Sequence, residues 1–359
     1  MPTLTSSQTA GPATSSAAVH GIFTATGHRL AAEMPDPLAS VRLLDGRVLV
    51  LGAGGSVPEL YDPATGTFRI VGIATGGDRP AATLLHDGDV LIVTAGLGPS
   101  EYAALFHPST GAFSQSKATF QHAGEQALAS LADGRVLIVG GWEGSSAGNP
   151  GYLASAEIYD PANDTVTPTG SFKHARESAR AVLLHDGRVL VVGGDAGFDA
   201  VRQNLPTSVE IYDPSTGKFS VAGSTSSAHF LGTATVLDDG RVLIAGGETA
   251  TGVLSTAEIY DPRTGKFTMT GSMNTPRVNQ TATLLKDGRV LIAGGGSQDA
   301  ESAGLSTAEI YDPSTGRFSL TGSLPEPFSR PAAALLLDGR VLVTGYVFPG
   351  GDSSAVYVP

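Results

Sequence analysis

The chain has 359 residues, a formal net charge of −12 and no cysteine. The acidic balance argues against a nucleic-acid backbone as partner, and the missing cysteine excludes disulfides, thiolate metal sites and cysteine nucleophiles. Hydrophobic residues make up 41% of the chain, enough for a core, but no apolar run approaches the length of a membrane helix.

Residues 1–19 are rich in Ser, Thr, Ala and Pro and lack the basic and apolar segments of a signal peptide. They are expected to form a flexible leader, with residues 20–359 as one domain whose compartment the sequence leaves open. The first patterned stretch is GIFTATG, Gly21–Gly27. It matches GKFTMTG at Gly265–Gly271 and GRFSLTG at Gly316–Gly322, which each close a longer unit. The early copy has no such unit before it.

Beyond it the chain repeats. Asp-Gly occurs at Asp45, Asp87, Asp133, Asp186, Asp239, Asp287 and Asp338, each followed by a run such as RVLIVGG. An aromatic in a segment like AEIYDP comes next: Tyr61, Phe106, Tyr159, Tyr212, Tyr260, Tyr311 and Tyr357. Each copy predicts four strands. Strand a precedes Asp-Gly, which is expected to make a two-residue hairpin turn. Strand b follows it and is rich in β-branched residues. Strand c is the AEIYDP segment, stopped by Pro. Strand d is KFSV or a relative, after a P-S-T-G turn. Units of this kind, 42 to 53 residues apart, predict an all-β, seven-bladed propeller. The seventh copy stops at Tyr357–Pro359, after strand c. GIFTATG is therefore predicted to pair with residues 354–358 as the outer strand of the last blade, since an open strand edge leaves backbone groups unpaired.

The double glycine after strand b, the Tyr of strand c and the aromatic opening strand d resemble the kelch repeat, over residues 20–359. Where that repeat commonly has Trp, this chain has Phe68, Phe113, Phe219, Phe267 and Phe318, with Val166 in the third copy. The resemblance implies the fold and leaves function open. Kelch propellers include protein-binding scaffolds, sugar-binding or sugar-isomerising proteins and the galactose-oxidase group. The copper radical chemistry of that last group uses a Tyr crosslinked to Cys. A chain without Cys cannot form it, so that activity is excluded and no cofactor is predicted.

From the strand c aromatic to the next Asp-Gly the spacing is 26 or 27 residues, whereas from Asp-Gly to the aromatic it runs from 16 to 26. Length variation is thus confined to the b–c loops, which share a face with the d–a loops, and that face is expected to carry function. Counting back from each Asp-Gly aspartate, the tenth place holds Arg176, His229, Arg277 and Phe328. The eighth holds Arg79, Glu125, Ser178, Asn279 and Arg330, and the sixth holds Arg180 in the fourth copy. Arg79, Arg176, Arg180, Arg277 and Arg330 are expected to gather at the channel mouth and grip an anion, because a guanidinium offers a planar fork to carboxylate, phosphate or sulfate. The alternative spends them on inter-blade ion pairs with Glu125, Glu177, Asp195 or Glu248.

Nine places after the aspartate, just past strand b, stand Trp142, Asp195 and Glu248, with Tyr346 one place earlier in its copy. Trp142 suits stacking on a sugar face. His174, His229, Glu125 and Glu177 are the candidates for acid–base catalysis: isomerisation, elimination or hydrolysis. His122, His174 and His229 offer an alternative metal site, out of register with one another. Together these features predict a small anionic or sugar-like ligand, of uronate or sialate type, at the mouth. The competing prediction is a non-catalytic protein-interaction scaffold that uses the long b–c loops near 142–155, 195–208 and 296–306.

Overall fold

The structure, a computed structural model, describes residues 21–26, 39–52, 57–72, 78–95, 102–121, 124–143, 151–195, 205–298, 304–347 and 351–359. The leader, His122, the side chain of Arg79 and the centres of the long b–c loops lie outside the described residues.

Seven four-stranded antiparallel sheets follow one another along the chain. Blade 1 is Ala39–Arg42, Val48–Leu51, Glu59–Asp62 and Thr67–Ile70. Blade 2 is Asp78–Leu84, Val90–Ala95, Tyr102–His107 and Ala112–Gln115. Blade 3 is Ala127–Ser130, Val136–Val139, Ala156–Asp160 and Thr165–Pro168. Blade 4 is Arg180–Leu183, Val189–Val192, Ser208–Asp213 and Lys218–Ser224. Blade 5 is Thr233–Val236, Val242–Ala245, Ala257–Asp261 and Lys266–Met269. Blade 6 is Thr281–Leu284, Val290–Ala293, Ala308–Asp312 and Arg317–Leu320. Blade 7 takes Ser329–Leu335, Val341–Val347 and Gly351–Val358 from the end of the chain, and its fourth strand is Ile22–Ala25. That strand pairs Ile22 with Val358, Phe23 with Tyr357, Thr24 with Val356 and Ala25 with Ala355.

The first four residues of strand b are buried in every blade, which is why it reads as an unbroken apolar run rather than an alternating one. The core lies between blades. Leu49 and Leu51 of blade 1 pack against Val90, Ile92 and Phe106 of blade 2, and Val48, Val50 and Tyr61 pack against Leu342 and Val356 of blade 7. Strand a of each blade touches strand a of both neighbours, the first against the seventh included, so the a strands form the inner circle. The strand c aromatic meets the strand d aromatic at 4.7 to 4.9 Å between ring centres in six blades. Phe23 with Tyr357 is one of these pairs.

The Asp-Gly turn differs from the expectation. Gly46 N donates to Leu43 O and Leu43 N donates to Arg47 O, and only the glycine has positive φ, 90° at Gly46. A two-residue turn of the favoured type needs positive φ at both central residues. Here a type I turn ends in a glycine bulge. The aspartate is freed to accept Arg47 N at 3.0 Å and Arg47 Nε at 2.8 Å. Asp133, Asp186, Asp239, Asp287 and Asp338 hold the arginine two places on in the same way.

Candidate functional site

The a strands stay partly accessible while the b strands behind them are sealed. Solvent therefore reaches the inner circle from the axis. On the variable face the d–a loop turns into strand a, and the residue nine places before Asp-Gly bonds to the one nine places after it. Glu177 and Asp195 exchange two backbone bonds of 3.0 Å, Val278 and Gly296 do so at 2.9 and 2.8 Å, and Trp142 N donates to Gly124 O. The residues eight places back then meet across blades. Ser178 N donates to Glu125 O at 2.8 Å and Asn279 N to Leu231 O at 2.9 Å, and the Ser178 hydroxyl donates to Glu125 Oε2. Glu125 and Ser178 thus meet across one blade boundary, and Leu231 and Asn279 across another.

The tenth column is buried. Arg176 and Arg277 are 0% exposed. Arg277 Nη1 donates to Gly294 O and Thr307 O, and Nη2 to Thr307 Oγ1 and Glu309 Oε1. Arg176 repeats the pattern on Gly193 O, Ser208 O, Ser208 Oγ and Glu210 Oε1. Burial pulls both guanidinium groups below their ordinary value, and the Glu210 and Glu309 carboxylates oppose it. With their donors spent inside the protein, both arginines leave the anion clamp. They do form ion pairs, but with the glutamate repeated in strand c and not with Glu125, Glu177, Asp195 or Glu248.

His229 takes the same place in blade 5 and is 3% exposed. Its Nδ1 faces Gly246 O at 2.6 Å and its Nε2 faces Glu258 Oε1 at 3.2 Å. Both ring nitrogens are thus engaged inside the protein, so neither is open to a substrate or a metal ion. Burial would raise the Glu258 carboxyl, but hydrogen bonds from His229, the Ser226 hydroxyl and the Ser226 amide hold it below the usual carboxylate range. Blade 7 shows the apolar version: Phe328 stands in the tenth place, Ala355 replaces the glutamate, and both are buried in one cluster. The strand c glutamates Glu59, Glu157, Glu210, Glu258 and Glu309 are all at least 97% buried. Glu157, Glu210, Glu258 and Glu309 also accept backbone N–H groups of the d–a loop, from Gln121, Lys173, Ser226 and Asn274.

Two further candidates move inward. The side chains of Asp195 and Glu248 are buried, so neither lines the rim. Trp142 is half-buried and pairs with Tyr152 in a two-residue hairpin. Tyr346 is half-buried opposite Ser329. His174 is exposed and its carbonyl accepts Arg176 Nε. Arg330 is half-buried at the eighth place. Among the described residues no group of three or more His, Cys, Asp or Glu is placed to hold a metal ion.

Arg180 is different from its neighbours. It opens strand a of blade 4, where other blades have Ala or Thr, and its Nε donates to Gly232 O of blade 5 at 2.9 Å. No described carboxylate pairs with it. It is half-open to solvent, yet it is enclosed deeply enough that desolvation alone pulls its guanidinium below the ordinary value.

A family model described as the Kelch motif matches residues 178–226 and 229–274. Residues 178–274 thus carry the Kelch motif, and the ring of seven blades has the kelch-type propeller fold. No curated protein matches it. Among solved structures, a novel fungal alcohol oxidase of the AA5 family in complex with copper is similar to this propeller over 94% of this chain and 76% of its own, at 19% identity and a TM-score of 0.73. The protein YjhT is similar over 78% of this chain and 94% of its own, at 15% identity and a TM-score of 0.61. Identities this low show a shared kelch fold and carry no activity across.

Proposed function

We propose that this kelch propeller binds a small anionic, sugar-like ligand at the channel mouth on the face of the b–c and d–a loops. The observation that carries this is Arg180: a permanently charged guanidinium on the inner circle, with one backbone acceptor and no described carboxylate. A carboxylate on the axis would satisfy the two remaining faces of its fork. Glu125, Ser178, Asn279 and Arg330, at the eighth place of their blades, supply the mixed polar surroundings that a hydroxylated ligand needs. Once Arg176, Arg277 and His229 are assigned to the scaffold, Arg180 replaces the five-arginine clamp as the anchor.

Titration calorimetry with glucuronate, galacturonate and N-acetylneuraminate, with glucose as the neutral control, tests this. At least one acid is expected to bind where glucose does not. Arg180→Thr, which installs the residue of blades 5 and 6, is expected to weaken that binding about tenfold or more. Binding by none of the acids, or unchanged affinity in Arg180→Thr, would overturn the proposal.

A further inference from the structure

The backbone repeats left-handed conformations at four registers. At three of them the chain uses glycine: in the Asp-Gly turns, in the glycine pair after strand b, and in the c–d turn, where Asp164 is the exception. Glycine adopts this conformation without steric cost, and other residues do not. The fourth register is the eighth place before Asp-Gly. There φ is 50° at Glu125, 52° at Ser178, 53° at Leu231, 56° at Asn279 and 44° at Arg330. None is glycine, no two are alike, and only Asn is a residue that favours the conformation. All five are half-buried.

A column that needed only the turn would be glycine, in a chain with 47 of them. These five positions keep side chains against a backbone cost, and the side chains differ from blade to blade. They also sit on the innermost circle, where neighbours touch through Ser178 N to Glu125 O and Asn279 N to Leu231 O. Strain held at a site facing solvent is a mark of function when the fold does not require it.

We infer that Glu125, Ser178, Leu231, Asn279 and Arg330 form a selectivity collar that reads an asymmetric hydroxylated carboxylate on the propeller axis. This rests on the ligand proposal above and deepens it. Arg180 holds the carboxylate. The collar sets which epimer fits, with Ser178, Asn279 and Glu125 addressing hydroxyl groups and Leu231 giving one apolar contact to the C–H face of the ring.

The test compares Leu231→Gly, Leu231→Ala and Asn279→Gly with the parent protein, by thermal unfolding and by affinity for glucuronate and galacturonate, which differ at one hydroxyl. Leu231→Gly is expected to raise Tm by about 2 °C, because the left-handed cost disappears, whereas Asn279→Gly removes a residue that already accepts the conformation and is expected to leave Tm unraised; both are expected to change the ratio of the two dissociation constants at least threefold. Leu231→Ala keeps the cost, so it is expected to change the ratio without raising Tm. Leu231→Gly with unchanged or lower Tm, or either glycine variant with an unchanged ratio, would overturn the collar. If the parent binds neither acid, the ligand proposal falls and the collar with it. If the parent binds and Arg180→Thr abolishes binding while the ratio stays fixed in the glycine variants, the collar alone falls.

Discussion

Arg277 and Arg180 look alike in the sequence and differ in every physical respect. Arg277 is sealed, with Glu309 beside it at 3.1 Å. Arg277→Ala leaves a buried carboxylate without its counter-charge, and a loss of about 3–5 kcal/mol is expected in urea unfolding. Arg277→Phe with Glu309→Ala copies the arrangement of Phe328 and Ala355 in blade 7 and should recover most of it. Arg180→Thr is expected to act in the opposite direction, raising stability by about 1 kcal/mol in the same measurement, since an enclosed charge with one partner is removed. The His229–Glu258 pair gives the pH dependence. The folded Glu258 carboxyl is held below its unfolded value, so its contribution is present above that unfolded value and is lost as pH falls through the folded one. Thermal scans from pH 7 to pH 3 should show a steeper acid loss for the parent than for His229→Phe with Glu258→Ala. The sequence displayed the arginines but not their fates. The signal was available in strand c, where AEIYD places a glutamate between residues that face the core. The left-handed eighth column had no such signal, because Leu, Glu and Arg do not announce that conformation.

The strands themselves were legible, because apolar runs, Asp-Gly and Pro punctuate them at regular intervals. Six c–d aromatic pairs stand at nearly one distance, each with Phe in strand d. The Asp-Gly turn was legible in place but not in type: in all seven blades its aspartate accepts the backbone N–H two places on, that of Asp89 in the second blade included. Ile22–Ala25 behaves as a full strand d: Phe23 lies 4.9 Å from Tyr357 and Thr26 Oγ1 lies 2.6 Å from Ser354 Oγ. Phe23→Ala is therefore expected to cost about 2–3 kcal/mol, close to the cost of Phe318→Ala measured in parallel.

At the scale of the molecule, seven apolar clusters each join two neighbouring blades, and the cluster of Val48, Tyr61, Leu342 and Val356 joins the first to the last. Each blade's core is thus half supplied by its neighbour. A permuted chain tests how far the ends matter. If Pro359 is followed by Ser-Thr and then Gly21–Thr26, the seventh copy reads YVPSTGIF, a whole repeat. That chain, begun at residue 27, is expected to fold with stability within about 1 kcal/mol of the parent. The same chain without Gly21–Thr26 should expose the edge of Gly351–Val358 and aggregate on purification. The split blade also sets a clock. Thr26 meets Ser354 across 328 residues, and at about 5–20 residues per second the first strand waits on the order of 15–65 s for its partner to be synthesised. During that interval the ring cannot shut and its axis encloses nothing. The pairing of Ile22–Ala25 with Gly351–Val358 is therefore what closes the circle, and a nascent chain that has not yet made residue 358 has no enclosed axis.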